Sequence, residues 1–150
     1  MELTYPNMKS FMETYFRGYG DWVNSADTID ELDNYYTPDF TSTVYGHLEG
    51  MDYPVVRKGR KTFKDSLVHL HADIAETMTP IDIMIDEQRQ KATALVKVEM
   101  SNRKTGVQLE VDMVASYQFC LDDNNTIKFE NVGVFLSDPE RAMRFYLKNP

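Results

Sequence analysis

Hydrophobic spacing changes once along this chain, from the period of a helix to the period of a strand. In "MKSFMETYFRGYGDWV", Phe11, Tyr15, Tyr19 and Trp22 recur at i, i+4, i+8 and i+11, which is one stripe of a helix. Gly18 and Gly20 weaken that helix toward its end. "TIDEL" offers a capping box from Thr28 to Glu31. It predicts a short second helix that runs to about Tyr36 and stops before Pro38. Residues Thr41 to Tyr45 predict a short strand. "GHLEGMDYPVVRKGR" holds three glycines and a proline, shows no period, and predicts a long loop. Long ordered loops in compact domains are often functional. Phe63, Leu67, Leu70, Ile74 and Met78 then form the core stripe of a third helix over roughly Thr62 to Met78, with Thr79-Pro80 as its stop.

From Ile81 onward the period is two. Ile81, Ile83 and Ile85 alternate with polar residues, as do Ala92, Ala94, Val96, Val98 and Met100. A longer run follows from Val107 through Leu109, Val111, Met113, Ala115, Tyr117 and Phe119 to Leu121. Turn residues in "DEQRQK", "SNRKTG" and "DDNNT" separate these strands. Ile127 to Leu136 predict a last strand, with Gly133 as a bulge. "SDPERAMRFYL" predicts a closing helix with Ser137 as cap, Pro139 in the first turn and Glu140 completing a capping box. Helices first and an antiparallel meander afterwards define an α+β class, with helices on one face of a curved sheet. No repeat or linker divides residues 1–150, so one domain is expected.

Charge and composition narrow the partners. The net charge of −8 repels phosphates and argues against nucleic acid. No apolar run approaches the length of a membrane span, and no signal-peptide pattern opens the chain. The single cysteine, Cys120, rules out an intrachain disulfide framework. These features predict a cytoplasmic protein with no membrane partner and no cofactor. Nine tyrosines, eight phenylalanines and nine methionines supply an adaptable apolar interior.

The order of elements, carried by "YFRGYGDWVNSAD", "YYTPDFTSTVYG", "RKGRKTFKDSL" and the meander ending "NVGVF", resembles the nuclear transport factor 2-like superfamily. That group includes ketosteroid isomerases, polyketide cyclases and dehydratases. The resemblance implies a cystatin-like cone with an apolar pocket at its wide end, a small-molecule ligand, and pairing of two copies through the outer face of the sheet. Aligning the isomerases' N-x-G-D turn with Asn24-Ser25-Ala26-Asp27 sets their oxyanion tyrosine on Tyr19. Their base falls near Thr43 to Tyr45 and their second acid on Ala115, where this chain has no carboxylate. The bile-acid dehydratases share "YFR", which sets their catalytic tyrosine on Tyr15. Their aspartate falls on Gly20 and their histidine on Met78.

Candidate chemistry starts at "LVHLHADI". On a helix, His69 and His71 point roughly 200° apart, so they cannot share a metal, and no metal site is expected. His71 borders the core stripe and is the candidate imidazole base, with a buried structural histidine as the alternative. His69 faces solvent. Tyr15, Tyr19 and Trp22 share one face, where a phenol can polarise a carbonyl; ordinary packing is the alternative. Met113 and Tyr117 should line the cone. Tyr45 and His47 flank Gly46 as a candidate rim, with plain surface placement as the alternative. Asn131, among apolar neighbours, is either a polar anchor of the pocket or a bulge residue. The basic run Arg57 to Lys61 is a solvated helix entrance or an attraction for an anionic ligand. Three readings follow. The first is binding of a small hydrophobic, cyclic molecule. The second is a lyase or isomerase working by proton transfer. The third is a structural dimerisation module.

Overall fold

The computed structural model describes residues 2–45 and 54–148; the expected rim residue His47 and loop positions 46–53 lie outside them. The long helix α1 (Tyr5–Val23) starts where Thr4 accepts a hydrogen bond from Asn7 N at 3.4 Å. Its buried face is Met8, Met12, Tyr15, Phe16, Tyr19 and Val23, and Phe11 and Trp22 flank it. A Cβ at Gly18 would overlap the Trp22 ring, so the helix tolerates this poor helix former because it lets the indole lie against the backbone. At Gly20 a Cβ would meet Glu76 O at 3.4 Å, an ordinary contact.

A 3₁₀ turn, Ile29–Asn34, replaces the expected second helix. Thr28 has helical backbone angles (φ −114°, ψ −5°) and makes no cap. Its hydroxyl donates back to Asp21 O and Trp22 O at 3.1 and 3.0 Å. The strand β1 (Tyr36–Tyr45) begins five residues earlier than expected and carries Pro38 inside it. Its ladder with the last strand shifts register between Tyr36 and Thr41, and this irregularity accommodates a residue with no N–H. A short strand β2 (Val55–Lys58) occupies part of the expected loop and pairs antiparallel with β1.

The helix α2 (Arg60–His71) ends seven residues before the expected Met78. Ile74 to Met78 belong instead to β3 (Ile74–Asp86), which pairs along β4 (Lys91–Asn102). Satisfying the backbone groups of β4 over its whole length outweighs the local helical spacing. β3 is an edge of the sheet, where Pro80 leaves no N–H missing from a second ladder. A register shift between Pro80 and Asp82 turns Ile81 outward to 60% exposure, while Ile83 and Ile85 pack on the core. The strands β5 (Gln108–Leu121) and β6 (Ile127–Leu136) complete one six-stranded sheet in the order β2-β1-β6-β5-β4-β3. Among the described strands only the β1–β6 pair is parallel. The bulge in β6 falls at Glu130, between the pairs Phe119↔Phe129 and Gln118↔Asn131, and Gly133 pairs regularly with Ser116. The helix α3 (Pro139–Lys148) is capped by Asp138, which accepts from Arg141 N at 3.0 Å. Ser137 instead joins Asp112, donating from its N at 2.8 Å and accepting at its Oγ at 3.1 Å.

Aromatic rings join α1 to the sheet. Phe129 is fully buried and meets Phe11 and Tyr15 edge-on at 4.9 and 5.0 Å. Such pairs add about 0.5–1.5 kcal/mol each beyond the area they bury. The cluster fills the space between α1 and the strands β5 and β6. No helix among the described residues is long and apolar enough to cross a membrane.

Candidate functional site

The wide end encloses a cavity of about 430 Å³ between α1, α2 and the inner face of the sheet. Its walls are largely apolar: Phe63, Leu67, Leu70, Met113, Val134 and Leu136. Polar groups enter at a few points, among them Tyr15, Tyr19, Tyr117, Ser42, Arg57 and Glu76. An apolar cleft with a few convergent polar groups is the usual form of a small-molecule site.

Glu76 is the buried acid of this cavity. It is 6% exposed, and burial pushes its carboxyl up from 4.5 to about 7, because a charge is costly away from water. Asn24, just past the end of α1, holds the backbone of Glu76 in both directions. Its Nδ2 donates to Glu76 O at 2.7 Å, and its Oδ1 accepts from Glu76 N at 2.9 Å. The same Nδ2 donates to Gly20 O at 2.6 Å. Arg103 anchors this junction, donating to Asn24 O at 2.8 Å and to His71 O at 3.1 Å.

His71 stands behind Glu76. It is 2% exposed and is not part of the cavity wall. Its Nδ1 donates to Ile74 O at 2.8 Å, which leaves the lone pair of the neutral ring on Nε2. Nε2 lies 3.2 Å from Glu76 Oε2, off the line of a good hydrogen bond. Burial lowers the imidazole from 6.5, against the Ile74 contact, and the Arg103 charge lowers it further. Both shifts favour the uncharged forms.

Tyr15 Oη and Tyr36 Oη are hydrogen-bonded at 2.5 Å. Burial holds both phenols well above 10, so both remain O–H donors. If Tyr36 donates to Tyr15, the Tyr15 proton is free to point into the cavity, and the donated bond strengthens it. Tyr117 is likewise raised by burial.

The expected site residues divide by face. Tyr15, Tyr19, Met113 and Tyr117 meet at the cavity. Trp22 does not; its ring stacks on Tyr35 at 4.9 Å, over the gap left by Gly18. Tyr45 and Asn131 lie on the outer face, in a separate open groove of about 870 Å³. The Glu130 bulge accounts for Asn131, since one extra residue reverses the facing of a strand. His69 is exposed, yet it stands on the cavity rim. Among the described residues, no group of three or more His, Cys, Asp or Glu side chains could hold a metal ion. Sequence reasoning missed Glu76 and Ser42. Glu76 had a readable signal: it alternates with Ile74 and Met78, which places it with them on one face of a strand.

No protein-family model matches the sequence, and no curated protein matches it. Solved structures match over almost the whole chain. A protein assigned as a SnoaL-like polyketide cyclase from Jannaschia sp. superposes with a TM-score of 0.66 at 12% identity, covering 94% of this chain and 91% of its own. A ketosteroid isomerase-like protein from Erwinia carotovora atroseptica gives 0.62 at 9% identity, covering 89% and 96%. SalBIII, an epoxide hydrolase/cyclase-like enzyme of pyran ring formation in the polyether salinomycin, gives 0.60 at 19% identity, covering 90% and 94%. The fold is that of the nuclear transport factor 2-like superfamily: an α+β cone of helices on a curved sheet.

Proposed function

We propose that the chain binds a small hydrophobic, cyclic molecule in the cone cavity and moves a proton on it, as a cofactor-independent lyase or isomerase. The observation that carries this reading is Glu76: a carboxyl on an apolar cavity wall, held near neutrality by burial. A general acid–base works best when its affinity for the proton lies near the working pH. As a carboxylate, Glu76 would take a proton from a carbon beside a ligand carbonyl. It would then return that proton to a second carbon or to a departing hydroxyl. Tyr15, supported by Tyr36, would donate to the oxygen on which negative charge develops. His71 would position the Glu76 carboxyl and limit its charge.

Cyclic enones and β-hydroxyketones, assayed for isomerisation and dehydration, test this. The wild-type rate should rise through about pH 7, where Glu76 ionises. Glu76→Gln should lower turnover by about 10²–10⁴-fold, with affinity for the same ketones changed little. Unchanged turnover would remove Glu76 from the chemistry. Failure of any cyclic compound to bind would remove the pocket reading itself.

The outer face supports a second, compatible proposal, a homodimer. Phe135, stacked on Tyr45 at 4.7 Å, and Val114 are exposed there. Light scattering should return about twice the 17.4 kDa chain mass at micromolar concentration, and Phe135→Asp should halve it. A wild-type protein of one chain mass at those concentrations would defeat the proposal.

A further inference from the structure

Arg57 and Ser42 are directly paired across the β1–β2 ladder, so their side chains project from the same face. That face is the inner one: Ser42 is 3% exposed, and both residues line the cavity. Among the described residues neither side chain has a hydrogen-bond or ion-pair partner. This sets Arg57 apart from its basic neighbours. Arg60 pairs with Asp33 at 3.1 Å and Lys61 with Asp65 at 2.7 Å. Lys58 stands opposite Thr41 on the outer face. On the cavity rim the carboxylate of Asp73 is already matched by Lys104 at 3.5 Å. Among the described residues, a half-buried guanidinium with no ion-pair partner, beside a serine hydroxyl with no hydrogen-bond partner, is thus a local exception in a chain of net charge −8. Groups of this kind leave donors unsatisfied until a ligand supplies acceptors.

We propose that Arg57 and Ser42 form an anion subsite on the β1–β2 side of the cone cavity, and that it takes the carboxylate of a hydrophobic cyclic acid. The guanidinium presents paired N–H donors that match a carboxylate edge, and the serine hydroxyl adds a third. The ring system of the ligand would lie against Phe63, Leu67 and Met113, within reach of Glu76. This inference rests on the cavity being a ligand site, and it narrows the ligand from a hydrophobic molecule to an acid.

The test compares naphthalene-2-carboxylate with naphthalene-2-carboxamide, nearly isosteric probes that differ in charge, by fluorescence titration at pH 8. Wild-type protein should prefer the carboxylate by about tenfold or more, the effect of a charge-assisted hydrogen bond. Arg57→Gln should abolish that preference while binding the carboxamide within about twofold of wild type. Its melting temperature should not move. Arg57→Lys should retain part of the preference. Equal affinities in the wild type, or a preference that survives in Arg57→Gln, would overturn the subsite and leave the pocket reading standing. Binding of neither probe would overturn both.

Discussion

Glu76→Gln and His71→Asn are expected to give stabilities that slope in opposite directions with pH. In the unfolded chain the carboxyl releases its proton near 4.5 and the imidazole near 6.5; burial raises the first to about 7 and lowers the second. Stability rises with pH wherever the unfolded state binds more protons than the native state. A raised carboxyl does the reverse. Its contribution is complete below pH 4.5 and is lost as pH rises through about 7, an amount of about 3 kcal/mol. A lowered imidazole is a penalty at acid pH that disappears as pH rises to 6.5. Between 4.5 and 6.5 the two contributions slope in opposite directions and oppose each other in the wild type. Glu76→Gln leaves only the imidazole, and stability should climb up to about pH 6.5. His71→Asn leaves only the carboxyl, and stability should fall from pH 4.5 to 7. Urea melts of the three proteins between pH 4 and 8 measure this. Variant curves that run parallel to the wild type would show that the protonation of these two groups does not set the slope.

Asn24→Ala should cost about 3 kcal/mol, although Asn24 is only partly buried and does not line the cavity. Its amide makes three short hydrogen bonds, two of them to the peptide groups on either side of the Glu76 Cα. Alanine leaves the Glu76 N–H and C=O without those partners beside a buried side chain, and each such loss costs about 1–3 kcal/mol. The damage should concentrate at the acid. Hydrogen exchange at the Glu76 amide should speed up by more than at the neighbouring β4 amides, which keep their ladder partners. Asn24→Asp should rescue only part of this, because it restores the acceptor for Glu76 N and loses both donated bonds. A loss below about 1 kcal/mol, with exchange unchanged at Glu76, would mean that water substitutes for the amide.

The two missed pocket residues have one kind of cause. Ile74 and Met78 lie four residues apart, and that spacing is in phase both on a helix and on a strand. Read as helix, Glu76 falls about 200° from Ile74 and points to water. Read as strand, it points inward with Ile74 and Met78. Nothing local chooses between the two. The choice is made by β4, whose residues from Val96 to Asn102 need partners and find them in Ile74 to Pro80. Ser42 was hidden in the same way. β1 was legible only from Thr41 to Tyr45, and its inner face is defined by partners far along the chain, Arg57 across one ladder and Val132 across the other.

The sequence by itself determined the α+β order, the alternating strands β4, β5 and most of β6, and the inward face of α1 that brings Tyr15 and Tyr19 to the cavity. Each follows from a period sustained over ten or more residues, which local chemistry alone can write. Only the tertiary structure decided where α2 stops, that His71 sits behind Glu76, and that Trp22, Tyr45 and Asn131 leave the cavity wall. Those outcomes depend on single-residue shifts of register. A helix end moved by a few residues or one bulged Glu130 exchanges inside for outside, and the free energy that settles such a shift comes from pairing with a distant strand.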